Sequence, residues 1–107
     1  MSYDYMFFRA THRLTSPDEI DESTTVPFSS NEEILSLLRQ VYPDASVDAE
    51  GFGWLDPVQH QGSIHFSDDE FRVFTLAHLE PNEVQTLCTS LGLTAFDGQI
   101  EKLIHPV

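Results

Sequence analysis

The chain has 107 residues, enough to bury a real core in one domain without metal or disulfide support. Its lone cysteine, Cys88, cannot close an internal disulfide, which argues against a stapled secreted scaffold and points to a reducing compartment. With 18 acids against 5 bases and a formal net charge of −13, it is unsuited to bind nucleic acid or an anionic membrane.

Taken in order, Tyr3 to Arg9 reads as a strand rich in aromatic residues, with Tyr3, Tyr5 and Phe7 on one face and Met6 and Phe8 on the other. Apolar groups on both faces suit an interior strand. Residues 10–29 form a polar span with Pro17, Pro27 and the acidic cluster Asp18-Glu19-Ile20-Asp21-Glu22. Unstructured spans this long are either functional or solvated insertions, and a short helical turn after Ser16-Pro17 is compatible with the sequence. The first helix is marked by Ser30 and Glu33 as a capping box and by the stripe Ile34, Leu37, Leu38 and Val41; Pro43 ends it. Asp44 to Glu50 is an acidic connector. Gly51 to Leu55 is a short strand that places Phe52 and Trp54 on one face.

The stretch from Gly62 to Leu79 reads as a hairpin at the middle of the sheet, reversed at Ser67-Asp68-Asp69. Ile64 and Phe66 share a face of its first arm. Phe71, Val73, Thr75, Ala77 and Leu79 share one face of the second, with Phe74 and Leu76 opposite. A second helix starts at Pro81, carries the stripe Val84, Leu87, Cys88 and Leu91, and stops at Gly92. Two short strands, Leu93 to Phe96 and Gln99 to Ile104, follow around the turn signal Asp97-Gly98. The expectation is a single α+β domain over residues 1–107. It should hold a four- to six-stranded, mainly antiparallel sheet with two helices on one face, in the order β-α-β-β-β-α-β-β.

The charge is unevenly placed. Between Leu14 and Phe71 thirteen acids face the single base Arg39, a net −12, whereas the flanking segments are nearly balanced. Such a field attracts a basic protein, although acids also simply keep a small protein soluble. The candidate partner-binding residues are therefore Asp18, Glu19, Asp21, Glu22, Asp44, Asp48, Glu50, Trp54 and Asp56. Trp54 and Phe52, ringed by acids, fit an interface anchor or core packing beneath a helix; the core is the better reading for Phe52, and Trp54 stays open between the two. Chemistry-bearing motifs are sparse. His60 and His65 with Asp56, Asp68 and Asp69 lack the close pairing of a metal site, Cys88 lies on the apolar stripe of a helix, and no nucleophile elbow or phosphate-binding loop occurs. No catalytic residue, metal or cofactor is expected. The apolar runs are too short to span a membrane and the N-terminus lacks signal-peptide character, so a soluble, cytoplasmic protein is expected.

The opening Met1-Ser2-Tyr3-Asp4-Tyr5-Met6-Phe7-Phe8-Arg9 and the closing Leu91-Gly92-Leu93-Thr94-Ala95-Phe96-Asp97 resemble small acidic bacterial immunity proteins associated with polymorphic or contact-delivered toxins. The likeness is confined to these two ends, and it carries over no functional residue. It implies a cytoplasmic, non-enzymatic inhibitor, monomer or homodimer, that binds a cognate toxin domain and blocks its active site or substrate groove. Joined to the charge, this gives an immunity protein for a basic toxin, with nuclease as one class. Two other readings are a small acidic chaperone for a secreted effector, and a metal-binding module or enzyme around His60, His65 and Asp68.

Overall fold

The computed structural model describes residues 4–66 and 73–107, and across them the strand periodicities assemble into one open antiparallel sheet. The elements are β1 (Asp4–Ala10), β2 (Thr25–Val26), α1 (Asn31–Arg39), β3 (Ser46–Val47), β4 (Phe52–Asp56), β5 (Gln61–Phe66), β6 (Val73–Ala77), α2 (Pro81–Leu91), β7 (Thr94–Asp97) and β8 (Lys102–Ile104). They lie in the order β3-β4-β5-β6-β1-β7-β8, with β2 paired to the far end of β1. The α+β class and the antiparallel sheet agree with expectation. The strand number does not: the sheet has eight strands, where four to six were expected. The two that the sequence hid are β2 and β3, each two residues long, one inside the polar span and one inside the acidic connector.

The core forms where one sheet face meets both helices. Phe7 of β1 stands opposite Phe74 of β6, and their rings stack at 5.6 Å and 10°. Ile64, Phe66 and Leu76 surround this pair, and the helix stripes close it from above with Ile34 and Leu38 of α1 and Val84, Leu87 and Cys88 of α2. Burying each such side chain stabilises the fold by roughly 1.5–3 kcal/mol. The hairpin expected over 62–79 is present, and β6 is the fourth of seven strands on the path. Its faces are weighted otherwise than the apolar pattern suggests: Phe74 and Leu76 are fully buried, whereas Val73 and Thr75 are partly exposed. Cross-strand register decides this, since Phe66 pairs with Phe74 and Ile64 with Leu76. Phe71 and the reversal at Ser67-Asp68-Asp69 lie outside the described residues.

Both helices carry their expected signals. Ser30 caps α1 by accepting the Glu33 N–H at 3.3 Å, while the Glu33 carboxylate reaches back one residue further and takes the Ser29 N–H at 2.8 Å. Gly92 ends α2 in the left-handed region at φ 66°, and the Leu93 N–H donates to the Cys88 carbonyl. Tyr42, just after α1, donates its hydroxyl to Glu83 of α2 at 3.3 Å and so ties the helices together. The last hairpin differs from the two-residue turn expected at Asp97-Gly98. Asp97 pairs with Lys102, leaving a four-residue loop in which Glu101, not Gly98, takes the positive φ of 52°. Asp97 stays in the strand because its side chain is buried and accepts the Gln99 N–H at 3.0 Å.

The polar span after β1 is folded. Ser16 and Glu19 form a reciprocal capping box around a single 3-10 turn, Pro17–Glu19, and Asp21 closes the next turn by accepting from Ser23 and Thr24. Leu14 is 1% exposed yet stands outside the main core, as does the fully buried Phe8, which points to the helix-free face of β1. His105 holds this segment against the C-terminal strand region, its Nε2–H donating to the Leu14 carbonyl at 2.7 Å. The helix-free face is thereby split into a covered end around Phe8 and an open end over β4, β5 and β6.

Candidate functional site

The open end begins with the alternation along β4. Leu55 is buried on the core side, so Phe52 and Trp54 point to the helix-free face. Register then sets their neighbours: His65 opposite Phe52, Ser63 opposite Trp54, and next along the rows Thr75 and Ala77 of β6, then Met6 and Asp4 of β1. Small side chains at Ser63, Thr75 and Ala77 between the β4 rings and β1 leave a trough of about 670 Å³, bounded by Phe52, Trp54 and Asp48 on one side and Asp4 on the other. No lysine or arginine lines it among the described residues. A smaller hollow of about 280 Å³ at the other end of the sheet is lined by His12, Arg13 and His105 instead.

Planar rings dominate the trough wall. Phe52 and His65 stack at 4.5 Å with planes 8° apart, a cross-strand pair worth roughly 0.2–1 kcal/mol. Trp54 lies between two histidines, His60 at 5.1 Å and His78 at 6.4 Å, and His78 is hydrogen-bonded to Ser63 at 3.2 Å. Both histidines adopt the left-handed backbone region, φ 53° at His60 and φ 60° at His78, which costs a non-glycine residue roughly 1–2 kcal/mol. Core packing of Phe52, the reading the sequence favoured, is overturned: the residue is 52% exposed because its strand parity is set by Leu55, and its ring stacks on His65. Trp54 is half-buried.

The nine residues singled out from charge fall into two groups. Asp44, Asp48, Glu50, Trp54 and Asp56 gather around β3 and β4 at one edge of the sheet, and the trough takes in Asp48 and Trp54. Asp18, Glu19, Asp21 and Glu22 lie in the segment between β1 and β2. Several of these carboxylates already serve the local backbone. Glu19 Oε2 accepts from the Thr15 N–H, the Thr15 hydroxyl and the Ser16 N–H at 2.5, 2.9 and 2.8 Å, and these bonds hold its carboxyl below the usual range. Asp21 is lowered likewise, first by the Ser23 hydroxyl at 2.6 Å and then by the Ser23 N–H. Asp48 Oδ1 accepts the N–H groups of Glu50 and Phe52 at 2.9 and 3.1 Å, and Asp56 Oδ1 those of Val58 and Gln59 at 3.2 Å. Asp18, Glu22, Asp44 and Glu50 are exposed.

Sequence reasoning passed over Asp4, Ser63, His65, Ala77 and His78 as parts of this site. The only sequence signal was the polar alternate face of β5, Ser63 and His65, whose partners appear once the register is known. Among the described residues no group of three His, Cys, Asp or Glu side chains is placed to share a metal ion; Asp68 and Asp69 lie outside them. Burial pushes the Cys88 thiol up to about 12, so it is protonated and sits within the core as a small apolar group. Among the described residues no helix is long and apolar enough to cross a membrane. Comparison of the chain with protein-family models, with curated proteins and with solved structures finds no match.

Proposed function

We propose that this protein is an immunity-type inhibitor: it binds a cationic toxin domain and occupies its active site or substrate groove, without turnover of its own. The observation that carries the reading is the helix-free trough, in which the exposed Phe52 and the half-buried Trp54 lie between Asp4 and Asp48 and no lysine or arginine lines the wall among the described residues. Aromatic anchors bordered by carboxylates are what a partner rich in arginine and lysine recognises. The −13 net charge adds a field that speeds encounter with such a partner, and a toxin that acts on phosphates would meet carboxylates in their place. The inhibitor would act in the cytoplasm as a monomer or homodimer.

A second reading, a chaperone for a secreted effector, is favoured by Met6, Phe96 and Leu103, which share the helix-free side and are partly exposed. An extended apolar segment would suit that surface. Coexpression separates the two. The protein is produced together with the products of the reading frames flanking its own gene, and growth and complex formation are scored. Rescue of growth by a complex with a folded toxin domain supports the inhibitor. Binding only to an unfolded or targeting segment of an effector, with no protection, overturns it in favour of the chaperone.

A further inference from the structure

Arg9 makes both a cation–π contact and an ion pair. Its Cζ lies 4.6 Å from the centre of the Phe28 ring and its Nη1 3.9 Å from Oε1 of Glu33. An aromatic face beneath and a carboxylate beside is therefore how this chain accommodates the Arg9 guanidinium.

The trough presents the same two parts, and among the described residues no lysine or arginine lines it. Phe52 covers one ring face with His65, and the residue is 52% exposed, which leaves ring surface to solvent. Asp48 is fixed at the backbone of Phe52 through Oδ1, which accepts the Glu50 and Phe52 N–H groups, so the carboxylate is held in place while Oδ2 remains for a donor. Asp48 and Phe52 line the same wall. Resting on the inhibitor reading above, we infer that Phe52 and Asp48 form a receptor for an arginine side chain of the protein partner. The guanidinium stacks on the outer face of Phe52, away from His65, and donates to Oδ2 of Asp48. Arginine fits better than lysine because a planar guanidinium stacks on a ring and still offers N–H groups in its own plane to a carboxylate. An ammonium group can satisfy only one of the two well.

The test needs no toxin. The purified chain is titrated at low ionic strength with the peptide acetyl-Gly-Arg-Gly-Arg-Gly-amide, and with the same peptide carrying citrulline or lysine. Ring resonances of Phe52 and His65 are followed by NMR, together with the fluorescence of Trp54, the single tryptophan. The arginine peptide should shift these signals saturably, the lysine peptide less, and the uncharged citrulline peptide not at all. Phe52→Leu keeps the apolar bulk and loses the ring, and Asp48→Asn keeps the backbone acceptor and loses the charge. Each should weaken the arginine peptide by roughly 2- to 5-fold. An unchanged melting temperature shows that the variants fold. Equal shifts with citrulline, or binding indifferent to both substitutions, overturns the arginine receptor. If growth rescue by a folded toxin nevertheless holds, the inhibitor reading survives and the partner docks elsewhere.

Discussion

Glu19 shows what a carboxylate does here before any partner arrives. Three donors from Thr15 and Ser16 converge on one oxygen, and the Ser16 hydroxyl oxygen in turn accepts the Asp18 N–H. Hydrogen bonds to the ionised form lower the folded pKa, so the cap is complete above the ordinary carboxylate range and is lost as the pH falls through the lowered value. Asp21, lowered by Ser23 and Thr24, behaves the same way, so the 15–24 segment should loosen as a unit as the pH falls below the ordinary carboxylate range. Glu19→Gln should open it already at neutral pH, because an amide oxygen is a weaker acceptor than a carboxylate. Amide protection at Thr15 and Ser16, taken relative to the intrinsic exchange rate at each pH, reads this directly: lower protection in the variant at pH 7, and little further loss of protection on acidification, is the expected result, and identical protection in both proteins would remove the cap from the account. The same reasoning limits what charge deletion can reveal. Neutralising Asp18, Glu19, Asp21 and Glu22 together would unmake a turn as well as remove a field, so Glu19 and Asp21 are poor probes of binding.

Among the elements, β3 depends most on a single position. A Cβ built on Gly53 would lie 1.9 Å from the Ser46 carbonyl oxygen and 2.7 Å from the Val47 Cα, so β3 pairs with β4 only because residue 53 has no side chain. Gly53→Ala should push β3 off the sheet and lower stability by about 1–3 kcal/mol. Urea denaturation measures the loss, and rapid exchange of backbone amides in 46–48 and 52–54 against slow exchange in β1 and β6 locates it. A variant of unchanged stability with β3 still protected would refute the close-approach argument. This dependence also explains what the sequence could convey. Both helices were legible because caps, apolar stripes and the Gly92 stop are local, and the central hairpin because its alternation runs over many residues. The strands β2 and β3 were not, since two residues carry no period; they exist because β1 and β4 offer them unpaired edges. The trough was illegible for a related reason. Phe52 could be read onto a face of β4, but whether that face met a helix or water depended on Leu55 and on which residues of β5 and β6 stood beside it.

At the scale of the whole molecule, the carboxylates singled out from charge lie in two separate groups rather than one. One group adjoins β3 and β4 and the other follows β1, and β3 and β1 are four places apart in the sheet, about 19 Å at ~4.8 Å per strand. A Debye length of ~8 Å at physiological ionic strength makes the two groups independent at that distance, so a partner docked at the trough feels chiefly the β3–β4 edge. Association kinetics can therefore locate the docking face through paired substitutions of equal charge. Asp44→Asn with Glu50→Gln removes two exposed carboxylates beside the trough, while Asp18→Asn with Glu32→Gln removes two exposed carboxylates from the 3-10 turn and α1. With a cationic toxin domain found by coexpression, the first pair should slow association several-fold at low ionic strength and flatten its salt dependence, and the second should change it little. At 1 M salt, where the screening length is ~3 Å, the variants and the parent should converge. Stopped-flow mixing over a salt series gives the comparison. Equal slowing by both pairs would mean that net charge alone steers the encounter and that the β3–β4 edge has no privileged part in docking.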